Sequence, residues 1–168
     1  KERNIMDLKK IIPENLQNTM YVRLFGLFKV PLIFYVSPKV IAMTDEVCEI
    51  KIPLTRRTKN HLNSMYFGVL CTGADIAGGL IAMAEIDRSK KKIALSFKDF
   101  KADFLKRAHG DVHFRCTQGK EIRKFVQEVI DTKERMNFPV EIEAIVPSKP
   151  EDGVVAKFVL TLSLKIKD

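Results

Sequence analysis

Residues Met65 to Ile86 read MYFGVLCTGADIAGGLIAMAEI, and only Asp75 and Glu85 in that stretch carry charge. Apolar residues fall on every side of the cylinder it would form. The stretch therefore predicts a helix that either spans a membrane or is wrapped by protein over most of its circumference. Its length suits a span. Against a span stand Gly68, Gly73, Gly78 and Gly79, the amphipathic stretches that follow, and an Asp at mid-depth, which costs at least ~2.5–3.5 kcal/mol in a bilayer. Small residues let a helix backbone lie close to a curved sheet or a partner helix. The reading is a central, protein-wrapped helix.

The flanking sequence supplies the wrapping. Before the helix, Cys48, Ile50, Ile52 and Leu54 alternate with Glu49 and Lys51, the period of a half-buried strand. After the turn Asp87 to Lys92, Ile93, Leu95 and Phe97 share one parity, and Phe100, Ala102 and Phe104 take the other. That slip predicts a bulge or a strand buried on both faces. Further strands are read at Val112–Cys116, Val140–Val146 and Phe158–Ile166, with one amphipathic helix over 120–135 carrying Ile122, Phe125, Val126, Val129 and Ile130.

Residues 1–43 read as a helical preamble. Leu16, Met20, Leu24, Leu27 and Phe28 recur at helical spacing, and Pro31 and Pro38 break the segment. Its apolar run Val30–Val36 is far short of the ~20 residues a span requires. Packing onto the main domain is expected, with an amphipathic membrane-surface helix as the other reading. Strands without crossover helices imply an antiparallel sheet and an α+β class. The organisation expected is one domain over 1–168, with a helical extension over 1–43 and a core over 44–168.

The chain has 168 residues, 46% hydrophobic and 30% charged, the composition of a globular protein rather than a disordered or collagen-like one. Cys48, Cys71 and Cys116 share no CxxC spacing and sit in apolar stretches, so reduced, buried thiols and a cytoplasmic setting are expected. No charged n-region followed by an apolar stretch opens the chain, so no signal peptide is expected. The net charge of +8 favours an anionic partner.

Asp75 is the anomaly of the central helix. A buried carboxylate without partners has its pKa raised. It is either a paired structural acid or a general base or nucleophile. The helix N-terminus near Met65–Gly68 offers free backbone N–H groups and a partial positive charge, suited to an anion or a developing oxyanion. Asn60 in the preceding loop is either a further donor or simply a turn residue. From Tyr66 to Asp75 is about 13.5 Å along the axis and roughly half a turn out of phase. One chain does not readily bring both devices to one carbonyl; two antiparallel copies do. Chemistry here thus predicts a homodimer with composite sites.

The motif Asn60-His61-Leu62-Asn63-Ser64-Met65-Tyr66-Phe67-Gly68, followed by Ala74-Asp75, resembles the hotdog-fold acyl-CoA thioesterases of the phenylacetyl-CoA thioesterase-like branch. Those proteins carry Asn, a short Gly-containing loop, His-Gly-Gly opening the helix, and an acid nine residues after the His. The resemblance in element order covers roughly residues 40–168, and the specific motif about 16 positions. It implies a curved antiparallel sheet around the helix and hydrolysis of an acyl thioester without metal or cofactor. It also implies a homodimer, or a dimer of such dimers. Carried over, the Phe67 N–H is the oxyanion donor, Asn60 assists, Gly68 keeps the approach open, and Asp75 attacks or activates water. Tyr66 stands where the family has His, Phe67 replaces the first Gly of the pair, and Asn63 replaces the loop Gly. A backbone donor survives a side-chain change, whereas Phe67 narrows the approach.

Further expectations attach to that resemblance. Ser96 is either the counterpart of a Ser or Thr on the following strand or an ordinary strand serine, and Arg56, Arg57 and Lys59, or Lys90 to Lys92, either meet coenzyme A phosphates or form solvated turns. Tyr66 belongs to the substrate-binding set. The substitutions at Tyr66, Phe67 and Asn63 also admit a non-catalytic acyl-CoA or fatty-acyl binding module on the same fold. His109 and His113 form an HxxxH, but strand-like residues intervene, so no metal site is expected. Without an RNP-like aromatic motif, nucleic-acid binding is not expected either.

Overall fold

The computed structural model describes residues 13–167. Two helices open it, α1 (Glu14–Lys29) and the short α2 (Pro31–Tyr35). Strands β1 (Lys39–Met43) and β2 (Cys48–Ile52) follow, then the long helix α3 (Phe67–Ser89). The rest runs β3 (Ile93–Phe104), β4 (Val112–Cys116), α4 (Gly119–Thr132), β5 (Met136–Ile145) and β6 (Val154–Ile166). Six strands form one antiparallel sheet in the order β1-β2-β4-β5-β6-β3.

The sheet curves around α3, which packs against β2, β4, β5 and β6. The inward parity of the strands is the one the alternation predicts. Ile50, Phe114, Ile142 and Phe158 are buried beside Leu160, Leu162 and Leu164. Gly73 explains how the helix comes so near: a Cβ there would lie 2.3 Å from the Phe114 ring. Alpha3 is long and apolar enough to cross a membrane by composition, yet most of it is buried inside the fold.

The parity slip is real. The β3–β6 register shifts between Phe97 and Phe100, so Phe97 and Phe100 both turn toward the helix side.

Three expectations are corrected. Residues 39–43 form a strand rather than the end of a helical preamble, and they extend the sheet beyond β2. Strand β5, expected from Val140, starts at Met136, and β6, expected from Phe158, starts at Val154. The stripe Leu16, Met20, Leu24, Leu27 and Phe28 does not face the core: all five are exposed, Phe28 at 74%. Alpha1 instead turns Thr19, Val22 and Gly26 inward. Small residues make that face, so the helix sits close and is pinned by polar contacts. Thr19 Oγ1 accepts from Val40 N at 2.9 Å, and Arg23 Nε donates to Pro38 O at 3.0 Å. Residues 1–12 of the expected preamble lie outside the described residues.

Candidate active site

The two acids of α3 meet different surroundings. Glu85 is 4% exposed and fully engaged: Arg88 Nη1 donates to Oε1 at 2.6 Å, and Arg123 Nε donates to Oε2 at 2.9 Å. Asp45 joins the same cluster through Arg88 and Arg123. This is the paired structural acid.

Asp75 has no such company. Half-buried, it makes no hydrogen bond or ion pair among the described residues, and burial alone pushes its carboxyl above the ordinary carboxylate range. It lines two apolar hollows. One, of about 230 Å³, lies between α1–α2 and α3. The other, of about 300 Å³, is bounded by Val30, Ile33, Phe97 and Phe100. Cys71, one turn before Asp75, lines the second. Burial raises its thiol as well, so it is not an activated nucleophile. Cys48 and Cys116 face each other across β2 and β4 as free, buried thiols.

The N-terminus of α3 is built by the loop before it. Thr58, buried, donates to Pro53 O at 2.6 Å and receives Thr55 N at 2.8 Å. Tyr66 N then donates to Thr58 O at 2.9 Å and Met65 N to Ala108 O at 2.9 Å. Asn60 folds its side chain into the loop. Its Oδ1 accepts from Leu62 N at 2.9 Å and Ser64 N at 3.2 Å, and Nδ2 donates to Ser64 Oγ at 3.1 Å. The amide thus shapes the turn that delivers Phe67. Asn63 has φ +58°, a left-handed conformation that glycine or asparagine accepts most readily. That is why Asn can occupy a loop-glycine position.

At the helix start, Tyr66 O accepts from Val69 N and Leu70 N. The N–H groups of Phe67 and Gly68 have no acceptor among the described residues. The Tyr66 ring lies across Gly68, where a Cβ would meet Cε1 at 2.7 Å. The Tyr66 and Phe67 rings are 4.8 Å apart, and Phe67 meets Phe104 edge-on at 6.1 Å. Phe67 is 57% exposed, so its ring stands at the mouth of the donor end.

The structure groups the remaining candidates unevenly. Ser96 lines the same 230 Å³ cavity as Asp75, its Oγ donating to Ser163 O at 3.3 Å. Arg57 lies over the Tyr35 ring at 5.5 Å, and Arg56 lines a shallow hollow with Lys59 and Asn63. Both arginines belong to the loop that is joined to the start of α3 through Tyr66 N and Thr58 O. Lys90 to Lys92 follow the other end of α3, about 35 Å along the axis from Phe67. His113 is engaged by Glu49, with Nδ1 2.7 Å from Oε1. The cavity walls from α1 and α2 (Val22, Phe25, Val30 and Ile33) were not read from the sequence, because the regular stripe of α1 lies on its other face.

A curved antiparallel sheet wrapped around one long helix is the hotdog fold. The chain belongs to the family described as domain of unknown function DUF4442, whose model matches residues 19–162. The fold is shared with structures of 12–19% identity. PA5026 of Pseudomonas aeruginosa, described as a protein of unknown function and probable thioesterase, aligns with TM-score 0.73 and 19% identity over 89% of this chain and 96% of its own. OLEI01261 of Chlorobaculum tepidum, of unknown function, aligns with TM-score 0.77 and 12% identity over 91% and 97%. Thioesterase HI1161 of Haemophilus influenzae aligns with TM-score 0.60 and 15% identity over 85% and 88%. No curated protein matches the chain.

Proposed function

We propose that the chain is a thioester hydrolase acting on an acyl-CoA or a related acyl thioester, with Asp75 as general base or nucleophile. The observation that carries this reading is the carboxylate of Asp75, without a partner among the described residues, half-buried on a wrapped helix and lining apolar cavities. A structural acid would be paired, as Glu85 is. Fold neighbours described as thioesterases support the class of reaction.

The unused N–H groups of Phe67 and Gly68 would hold the developing oxyanion, where the helix dipole favours negative charge. Phe67 and Asp75 are about 12 Å apart along the axis of one helix. The reading therefore includes a homodimer in which the acid of one subunit faces the helix N-terminus of the other. Arg56 and Arg57, in the loop joined to the start of α3, would meet the phosphates of a coenzyme A leaving group.

A second reading rests on the Tyr66 and Phe67 rings at the helix mouth: an acyl-CoA or fatty-acyl binding module without turnover. Thiol release from a panel of acyl-CoAs separates the two. Wild type should release free thiol, and Asp75→Asn should lose ~10²–10⁴-fold in kcat, the usual worth of a positioned acid–base group. Turnover unchanged by Asp75→Asn would remove Asp75 from the chemistry. Ligand-induced thermal stabilisation without thiol release would favour the binding module.

A further inference from the structure

Three glycines line the middle of α3, and only two are explained by packing. Gly73 is pressed by Phe114, and a Cβ on Gly78 would come within 3.2 Å of Ile142 Cδ1. Among the described residues, a Cβ on Gly79 would meet only the Phe97 ring, at an ordinary 3.8 Å. No packing contact among them requires glycine at 79. Its missing side chain instead widens the cavity beside Asp75.

We infer that this cavity is an acyl-chain channel in which α1 and α2 form one wall and Gly79 leaves room for an unbranched alkyl chain of medium length. The inference rests on the hydrolase reading for the chemistry at Asp75, and adds the substrate class and the residues that measure it. The channel follows α3 from Asp75 past Gly79 to Met83, about 12 Å along the axis. Across from the helix stand Val22, Phe25 and Ile33. An extended alkyl chain that fills a run of about 12 Å, its end groups included, has roughly eight carbons. Asp75 and Ser96 are polar groups in an otherwise mostly apolar lining, which places the reacting end near them and the tail away from them. The N-terminal helices are then part of the substrate site rather than an appendage to it.

The test uses the whole chain with acyl-CoAs of four, eight and twelve carbons, and in parallel with S-alkyl-coenzyme A thioethers of the same lengths, which cannot be hydrolysed. Wild type should gain about fourfold per methylene up to roughly eight carbons and no further. Gly79→Val should lower the eight-to-four-carbon ratio of kcat/KM, and of thioether affinity, at least tenfold. Phe25→Ala, on the opposite wall, should raise the twelve-to-eight-carbon ratio severalfold. Circular dichroism and Tm confirm that each variant is folded, and the two substitutions lie on different helices. Thioether affinities that shift this way without any turnover would uphold the channel while refuting the hydrolase. Turnover with length ratios unmoved in both variants would overturn the channel and leave the hydrolase standing. Absence of any length dependence in either assay also overturns it.

Discussion

Asp75 and Glu85 share a helix, and their surroundings assign them opposite tasks. Glu85 anchors Arg88 and Arg123. Glu85→Ala should cost ~2 kcal/mol in urea unfolding, because hydrogen bonds to charged groups are lost, while leaving the acyl length profile unchanged. Asp75 is held neutral more readily in the folded chain than in the unfolded one. The folded state therefore binds the extra proton, so this contribution to stability is complete below the ordinary carboxylate range. It is lost as pH rises through the raised value. Asp75→Asn should remove that decline and raise Tm at neutral pH, as a pH series of thermal melts would record. On the proposed hydrolase reading the slope of activity is opposite: kcat should rise as Asp75 ionises, with an apparent pKa above the usual carboxylate value. At this level the sequence was informative about which acid stood in apolar surroundings, but not about which was paired. Arg88, three residues on, is a local partner by helix spacing, whereas Arg123 is distant in the chain from Glu85 and no local pattern announces that second contact.

The elements divide along similar lines. Strand alternation predicted the inward faces of β2, β4, β5 and β6 correctly, because one face of each is buried against α3. The slip in β3 was visible for the same reason: a bulge changes parity, and parity is written in the residues. Strand β1 was missed. Its five residues KVIAM have mixed burial and follow a helix closely, so no clean period appears. Helix α1 was found but turned the wrong way, since its docking face is made of Thr19, Val22 and Gly26 while its larger apolar residues face outward. Glycine in α3 was legible as a device for close approach, and substitutions separate its two uses. Gly73→Ala should destabilise the fold by ~1–3 kcal/mol through overpacking against Phe114. Gly79→Ala has the space for its methyl and should stabilise by up to ~1 kcal/mol through helix propensity. Urea titrations of the two variants give the comparison directly, and equal effects would contradict the packing described.

For the molecule as a whole, the fold was readable, and of the candidate site the sequence offered the residues but not their surroundings. The resemblance supplied the motif, whereas the cavity wall from α1–α2 and the inward fold of Asn60 needed coordinates. The proposed reaction requires an acid and a helix N-terminus some 12 Å apart on one helix to act on one carbonyl, and hence two subunits. Phe67 is the first helical residue, where proline is well accepted and its missing N–H disturbs no helical bond. Phe67→Pro therefore deletes the proposed oxyanion donor without breaking α3, and it also removes the ring at the mouth. Each single variant, Phe67→Pro or Asp75→Asn, should be inactive alone. Mixed subunits of the two, co-expressed under separate affinity tags and purified as heterodimers, carry one intact composite site. Thiol release from octanoyl-CoA by that heterodimer should recover to about half the wild-type rate per dimer. Activity no greater than that of either parent, or a chain that purifies only as a monomer, would contradict a site shared between two helices.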